Sequence, residues 1–326
     1  MSEVLAAAEA LLGARVTPLA GGHSGETFLV DLGGGDATGA DQAVVRLFAR
    51  DPSRAAVTVG LLRLLAGLLP VPTVLEAKLE VNGRPGDSAL PTDTASSSAK
   101  APPTMIVMSK LPGERLDTVL TTADDVTAER LGVAVADIAV RLSGIPFQRP
   151  GSLHGLDLRV EPWPRGAGPL DEAERLIEAG FPGSANGLRA VADQAEDLIA
   201  EVGRYCLVHS DFNPKNLLVD PTEGVVTGLV DWEYAHAGAP VTDLGNMLRF
   251  DGGTVFGQAF EARFLETAPA PGPLPLLTAR ALDLLSLVDL CRRQLAGDAN
   301  VVTRAATELL VLRAGDGRLD SPAGTG

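Results

Sequence analysis

The sequence predicts an α+β chain in two parts, a small β-rich N-terminal lobe followed by a larger, mostly helical C-terminal lobe. Three observations predict this. Through the first hundred or so residues apolar positions come in short runs bounded by Gly, Pro and Asp, with one helical interruption, which is the signature of strands and turns. From about residue 115 the apolar spacing changes to the helical period. The length of 326 residues, 45% of them apolar, is enough to build two cores. Aromatic residues are only 4% of the chain, so Leu, Val and Ala must supply most of the packing. The expected division is 1–111 for the first lobe and 112–326 for the second, with no internal repeat.

In order, "MSEVLAAAEALLGARV" reads as an amphipathic helix; it lacks the positive start of a signal peptide and carries Glu3 and Glu9. "ARVTPLA" (14–20) and "ETFLVDL" (26–32) are strands flanking "GGHSG", and "QAVVRLF" (42–48) is a third strand after the Gly- and Asp-rich turn 33–41. Residues 52–69 carry helical spacing; Pro52–Ser53 suits the start and "PVP" (70–72) the stop. "TVLEAKLEV" (73–81) is a strand, 82–103 a flexible surface loop too poor in apolar residues to pack, and "TMIVMSKL" (104–111) a strand ending in the turn "PGERL". Helices follow at 127–142, 170–180 and 187–204, and then near 242–250, 256–267, 275–296 and 298–314.

The formal net charge of −15 argues against nucleic-acid binding and against a polybasic membrane-surface role. Cys206 and Cys291 stand far apart in no CxxC pattern and read as reduced, buried thiols; four scattered histidines offer no zinc spacing. The apolar stretch "ALDLLSLVDLCRRQL" is interrupted by Asp283 and Asp289, which suits a buried helix and not a membrane span. A cytoplasmic location is the expectation.

The chemistry concentrates in "LVHSDFNPKNLLVD" (207–220). Strand "LLV" (217–219) runs into the turn "DPTEG", and strand "VVTGLV" (225–230) returns. Asn216 just before the first strand and Asp231 just after the second therefore lie at the same end of a hairpin, bringing an amide oxygen and a carboxylate together. Such hard oxygens suit Mg²⁺, with water and phosphate completing its shell. Asp211, at the same end, can accept a proton or orient a nucleophile. The alternative is that Asp211 and Asp231 merely cap loops.

"HSDFNPKN" (209–216), "VDWE" (230–233) and "TDLGN" (242–246) together resemble the catalytic core of the protein-kinase-like fold, most closely the aminoglycoside phosphotransferase (phosphotransferase enzyme) family. The resemblance implies Asp211 as catalytic base, Asn216 and Asp231 as metal ligands, and His209 and Asp243 as structural supports of the catalytic loop. It implies Mg²⁺ as cofactor and ATP or GTP as phosphoryl donor. "GGHSGETF" (21–28) sits between strands, so Gly22, Ser24 and Gly25 are expected over the nucleotide phosphates, although the same residues would serve an ordinary hairpin turn. Arg46 stands where the family usually has a phosphate-binding Lys. Helix 52–69 contains no acid to pair with it, unlike the kinase pattern, which leaves Asp51 as a partner or the phosphate alone. Ser109 and Leu111 match the connector whose backbone meets the nucleobase, and Ser143 stands where the family often has a His. Lys215 reads as a solvated loop residue or a contact to the transferred phosphoryl.

The implied reaction moves a phosphoryl group to a small-molecule hydroxyl. Residues 155–201 hold ten acids, among them Asp157, Glu161, Asp171, Glu172, Glu174 and Glu178, against four arginines, which suits a cationic acceptor such as an aminoglycoside or a cyclic-peptide antibiotic. Solvent-facing acids on an acidic chain explain them equally. A metabolic kinase acting on an amino alcohol, amino acid or sugar derivative, and a catalytically silent nucleotide-binding module, remain open alternatives. The oligomeric state is open.

Overall fold

The computed structural model describes residues 16–18, 27–31, 42–48, 51–79, 104–163, 168–269 and 272–320. The expected N-terminal helix, the "GGHSG" loop with Gly22, Ser24 and Gly25, the 33–41 turn and the 82–103 loop fall outside them. The chain forms two compact units: Met1–Pro112 with His154–Arg159, and Gly113–Leu153 with Val160–Gly326.

The first unit is an antiparallel sheet of β1 (Val16–Pro18), β2 (Thr27–Asp31), β3 (Gln42–Leu47), β4 (Val74–Lys78) and β5 (Met105–Ser109), in the order β1-β2-β3-β5-β4. Strict alternation in β3 buries Ala43, Val45 and Leu47 and turns Gln42, Val44 and Arg46 to the other face. The buried positions join Val16, Phe28, Val30, Met105 and Val107 in one apolar cluster. In β5 four successive residues, Met105–Met108, are buried, so both faces of that strand are covered. Helix α1 (Ser53–Leu65) packs against β4 and β5. Asp51 opens it by accepting from the Ser53 N–H (3.1 Å) and hydroxyl (2.5 Å). Gly60 of α1 lies against the Leu156 carbonyl and the Leu158 side chain, which ties residues 154–159 to this unit.

The second unit begins differently from expectation. "PGERL" is not only a turn: Glu114–Arg115 is a short strand, β6, and α2 (Leu116–Leu120) follows at once. β6 pairs with β11 (Leu217–Asp220), and β11 with β12 (Val225–Leu229), to make a three-stranded sheet. Gly113 permits the approach, because its φ of 104° and the nearness of Val219 and Thr227 leave no room for a side chain. A second sheet has the order β7-β10-β13-β8-β9, from Pro146–Phe147, Tyr205–Val208, His236–Gly238, Gly151–His154 and Arg159–Glu161. These strands are two to four residues long, too short to show alternation, and apart from the local β8-β9 pair they join across long sequence separations.

The helices are α3 (Asp125–Ser143), α4 (Pro169–Glu178), α5 (Ala185–Ala200), α6 (Thr242–Asp251), α7 (Val255–Thr267), α8 (Pro275–Leu295) and α9 (Val301–Asp316). The starts of α3, α5, α7 and α9 are capped by side chains: Asp124, Ser184, Thr254 and Asn300 each accept from a backbone N–H in the first turn. Ser143, at the end of α3, is buried; its carbonyl accepts from Arg204 Nη2 (2.7 Å), a cation at a helix C-terminus. Helices α4, α5, α8 and α9 share one core, which includes Leu176, Leu188, Leu284, Leu287 and Leu310. Both cysteines are free and buried, and burial pushes the Cys206 thiol up to about 12. Among the described residues no helix is long and apolar enough to cross a membrane.

Helix α6 meets α8 through Gly245, where an added Cβ would collide with the Ala279 carbonyl. Alanine is the better helix former by about 1 kcal/mol, but overpacking costs about 1–3 kcal/mol. Gly245→Ala is therefore expected to lower the urea midpoint, and an unchanged or higher midpoint would contradict this packing. Both native thiols should resist alkylation at pH 8 and react once the chain is unfolded, read by mass spectrometry.

Candidate active site

Strand β10 ends at Val208 and its chain leaves the sheet. The backbone N–H groups of the next two residues then need new partners. Asp243, in the first turn of α6, supplies both: Oδ2 accepts from His209 N (2.9 Å) and Oδ1 from Ser210 N (2.8 Å). This carboxylate is 3% exposed. Burial holds it above the usual carboxylate range, opposed by His209 and by the two N–H donors. Ser210 is held at φ 66°, a left-handed conformation that a non-glycine residue takes only under constraint.

His209 is wholly buried, with the Trp232 ring centroid 4.7 Å away and that of Phe212 6.1 Å away. Its Nδ1 accepts from Asp211 N (3.3 Å), which places the ring proton on Nε2, 2.9 Å from the Val230 carbonyl. Both nitrogens are thus engaged in tying the loop to the strand end that precedes Asp231.

Asp211 is gripped from both sides. Asn213 Nδ2 donates to its Oδ1 (2.8 Å) and Asn216 Nδ2 to its Oδ2 (2.7 Å), and each amide also reaches the Asp211 carbonyl, at 3.0 and 2.8 Å. Asn213 in turn accepts from Lys215 N (3.0 Å), capping the 3-10 turn Pro214–Asn216. With its Nδ2 toward Asp211, Asn216 has Oδ1 left for a cation. The hairpin register pairs Leu217 with Leu229, and Val230 N donates to Asn216 O (3.0 Å). Asn216 and Asp231 therefore stand at one end of the hairpin, as the sequence implied. Asp231 is also left-handed, at φ 69°. Among the described residues no three His, Cys, Asp or Glu side chains gather as a metal cage. One carboxylate and one amide oxygen are the kind of partial, hard-oxygen set that could hold Mg²⁺ together with phosphate and water.

A second polar layer lies behind the loop. Asn246, one turn after Asp243, satisfies both ends of its amide when Nδ2 donates to Ser210 O (3.0 Å) and Oδ1 accepts from Arg249 Nη2 (3.1 Å). Arg249 is fixed by Asp283 of α8, with Nη2 2.6 Å from Oδ1 and Nε 3.0 and 3.2 Å from the two oxygens; the side chains are 11% and 2% exposed. Asn213, Asn246, Arg249 and Asp283 had no assigned role from sequence. The first two lie inside the quoted motifs, where a regular spacing could have pointed to them. Arg249 and Asp283 are 34 residues apart and meet only because α6 packs on α8.

The residues expected to meet the nucleotide belong to the first unit. Arg46 stands on the β3 face opposite the buried cluster, with Cζ 5.4 Å from the Phe48 ring centroid. Helix α1 contributes no acid to it. Ser109 N donates to Thr73 O and Ser109 Oγ accepts from Thr73 N, both at 2.9 Å, so its donor is already engaged. Leu111 lies beyond the strand end and outside that ladder. Lys215 is exposed. In the acidic insert, Asp157 pairs with Arg159, Glu174 with Arg189, and Glu172 with Arg175 and Arg292.

The family model described as the phosphotransferase enzyme family matches residues 15–277. No curated protein sequence matches the chain significantly. Solved structures of similar fold include aminoglycoside phosphotransferase APH(4)-Ia, 16% identical with 100% of both chains covered and a TM-score of 0.62. A thermostable mutant of that enzyme in ternary complex with AMP-PNP and hygromycin B is also 16% identical, with 100% of both chains covered and a TM-score of 0.63. The choline kinase LicA from Streptococcus pneumoniae is 16% identical over 97% of both chains, with a TM-score of 0.59.

Asp243→Ala would orphan the two loop N–H groups. Each buried, unsatisfied donor costs about 1–3 kcal/mol, so the variant is expected to lose about 2–5 kcal/mol in urea unfolding. A loss below about 1 kcal/mol would mean the loop is held elsewhere.

Proposed function

The chain belongs to the phosphotransferase enzyme family of small-molecule kinases, and we propose that it moves the γ-phosphate of ATP or GTP to a hydroxyl of a small molecule, with Asp211 as the base. The observation that carries this is the double amide grip on Asp211 beside the Asn216–Asp231 hairpin end. A carboxylate whose two oxygens are both fixed cannot rotate away, so it presents one orientation to an incoming hydroxyl. In phosphoryl transfer the protein mostly positions groups and offsets charge, and the acceptor proton leaves late. Asp211 aligns the hydroxyl and takes that proton.

Asn216 Oδ1 and the Asp231 carboxylate would hold Mg²⁺. When bound, the ion would offset the negative charge of the donor phosphates. His209 and Asp243 touch neither substrate; they set the height and rotation of the loop. In the first unit, Arg46 would meet the phosphates, aided by the backbone around Gly22, Ser24 and Gly25. Leu111, free of the strand ladder, would meet the base more readily than Ser109. APH(4)-Ia is seen with an ATP analogue, which supports an adenine nucleotide as donor.

For the acceptor, the carboxylates gathered near Tyr234 fit a cation. Desolvation raises the Tyr234 phenol, and the carboxylates of Glu233, Asp211 and Asp231 raise it further, against Arg293. The carboxylates of Glu233, Asp211 and Asp231 thus lie near enough to Tyr234 to act on it. The insert carries less of this argument, because Asp157, Glu172 and Glu174 are already paired with arginines. An aminoglycoside-like antibiotic and an amino alcohol both fit, as the hygromycin B complex and the choline kinase among the similar structures suggest.

The test is ADP and GDP release with Mg²⁺ across aminoglycosides, cyclic-peptide antibiotics, amino alcohols, amino acids and sugar amines. Acceptor-dependent release is expected, and Asp211→Ala should cut it about 10²–10⁴-fold. Full activity in that variant would remove Asp211 from the mechanism. Nucleotide binding without release for any acceptor would favour a silent module. Asp231→Ala is expected to raise the Mg²⁺ concentration for half-maximal rate by at least about ten-fold; an unchanged Mg²⁺ titration would place the ion elsewhere.

A further inference from the structure

The buried polar chain from α8 to the catalytic loop has no part in the mechanism above, yet its geometry leads directly to the residue before Asp211. Asp283 fixes the Arg249 guanidinium through three contacts of 2.6–3.2 Å. The Asn246 amide position beside the arginine's remaining N–H also lies 3.3 Å from Asp283 Oδ1; an oxygen there accepts from Arg249 and leaves the nitrogen for the Ser210 carbonyl, which satisfies both ends of the amide. The amide nitrogen is thereby turned to the Ser210 carbonyl. Ser210 is the left-handed residue whose N–H is taken by Asp243. Its peptide group is gripped at both ends from α6, but only the carbonyl grip depends on α8.

We propose that Asn246, Arg249 and Asp283 form a positioning relay: Asp283 and Arg249 orient Asn246 so that it holds the Ser210 carbonyl and thereby sets where the Asp211 carboxylate stands. This deepens the phosphotransferase reading and rests on it for its catalytic consequence. None of the three is a catalytic residue, since none needs to touch substrate. The cost of burying Arg249 and Asp283 fits such a role. A buried ion pair is weak as a source of stability and is often replaceable by apolar residues, so its value here is directional. The Gly245–Ala279 contact, which leaves no room for a Cβ, holds α6 close enough to α8 for the pair to form.

The decisive variants are Asn246→Asp, Asp283→Asn, and the swap that combines them. The swap keeps one carboxylate and one amide around Arg249, but no N–H faces the Ser210 carbonyl. If the residues serve only as a buried charge pair, the swap restores wild-type behaviour. If they position the loop, the swap folds yet remains impaired. Two readouts are taken on the full chain. Hydrogen exchange over residues 207–216 reports the loop whether or not any acceptor is known, and Mg²⁺-dependent turnover with the best acceptor reports catalysis.

Exchange in that segment should be about ten-fold faster in Asn246→Asp and in the swap. Their kcat should fall about ten-fold, with the nucleotide KM within about two-fold of wild type. Asp283→Asn should show the same split in smaller measure. Wild-type exchange in a folded Asn246→Asp, or full recovery of both readouts in the swap, would overturn the relay. If the swap does not fold, Asn246→Asp alone decides by the same exchange criterion. Faster exchange in a chain whose wild type releases no nucleoside diphosphate would uphold the relay and remove the phosphotransferase reading instead.

Discussion

The Asp243 carboxylate is the constraint on which the rest of the site depends. One side chain accepts two successive backbone N–H groups just where β10 gives up its sheet partners. That grip allows Ser210 to stay left-handed, which turns the chain so that Asp211 faces away from the core while His209 stays inside it. A neutral side chain of the same size could satisfy only one of the two donors. Burial raises the energy of the charged form, so the two N–H bonds are what make a buried carboxylate tolerable there.

Around that anchor each polar group has a defined partner, and the partners are linked. His209 ties Asp211 to Val230; Asn213 and Asn216 tie the Asp211 carboxylate to the 3-10 turn; Asn216 ties the turn to the hairpin. Such a closed set strengthens its own members in a low-dielectric interior. Two of the residues at positive φ without being glycine, Ser210 and Asp231, lie in it. Strain of order 1–3 kcal/mol each persists only where surroundings over-determine the backbone, and here they do.

In the first unit, the residue expected to meet the nucleotide departs from the kinase pattern. Arg46 keeps the charge expected at its place in β3, but α1 brings no carboxylate to it, and its guanidinium lies against Phe48.

The two-part α+β order, nearly all the long helices, and the hairpin that brings Asn216 and Asp231 together were legible in the sequence. Periodicity and turn residues are local, and a two-strand hairpin fixes which residues share an end. The motif "HSDFNPKN" likewise marked Asp211 and His209. The five-stranded sheet around β10 was not legible, because its strands are two to four residues long and, β8 and β9 aside, their partners lie far away in sequence. The short strand Glu114–Arg115 was hidden inside an apparent turn, since it exists only by pairing with β11. The roles of Asn246, Arg249 and Asp283 were hidden for the same reason. Asp283 looked like an interruption in an apolar helix until α6 placed a guanidinium beside it. The sequence by itself determined the candidate residues of the site and the local geometry that joins them. Only the tertiary structure decided what holds them still, because a buried hydrogen bond between two helices has no period, no turn and no spacing to announce it.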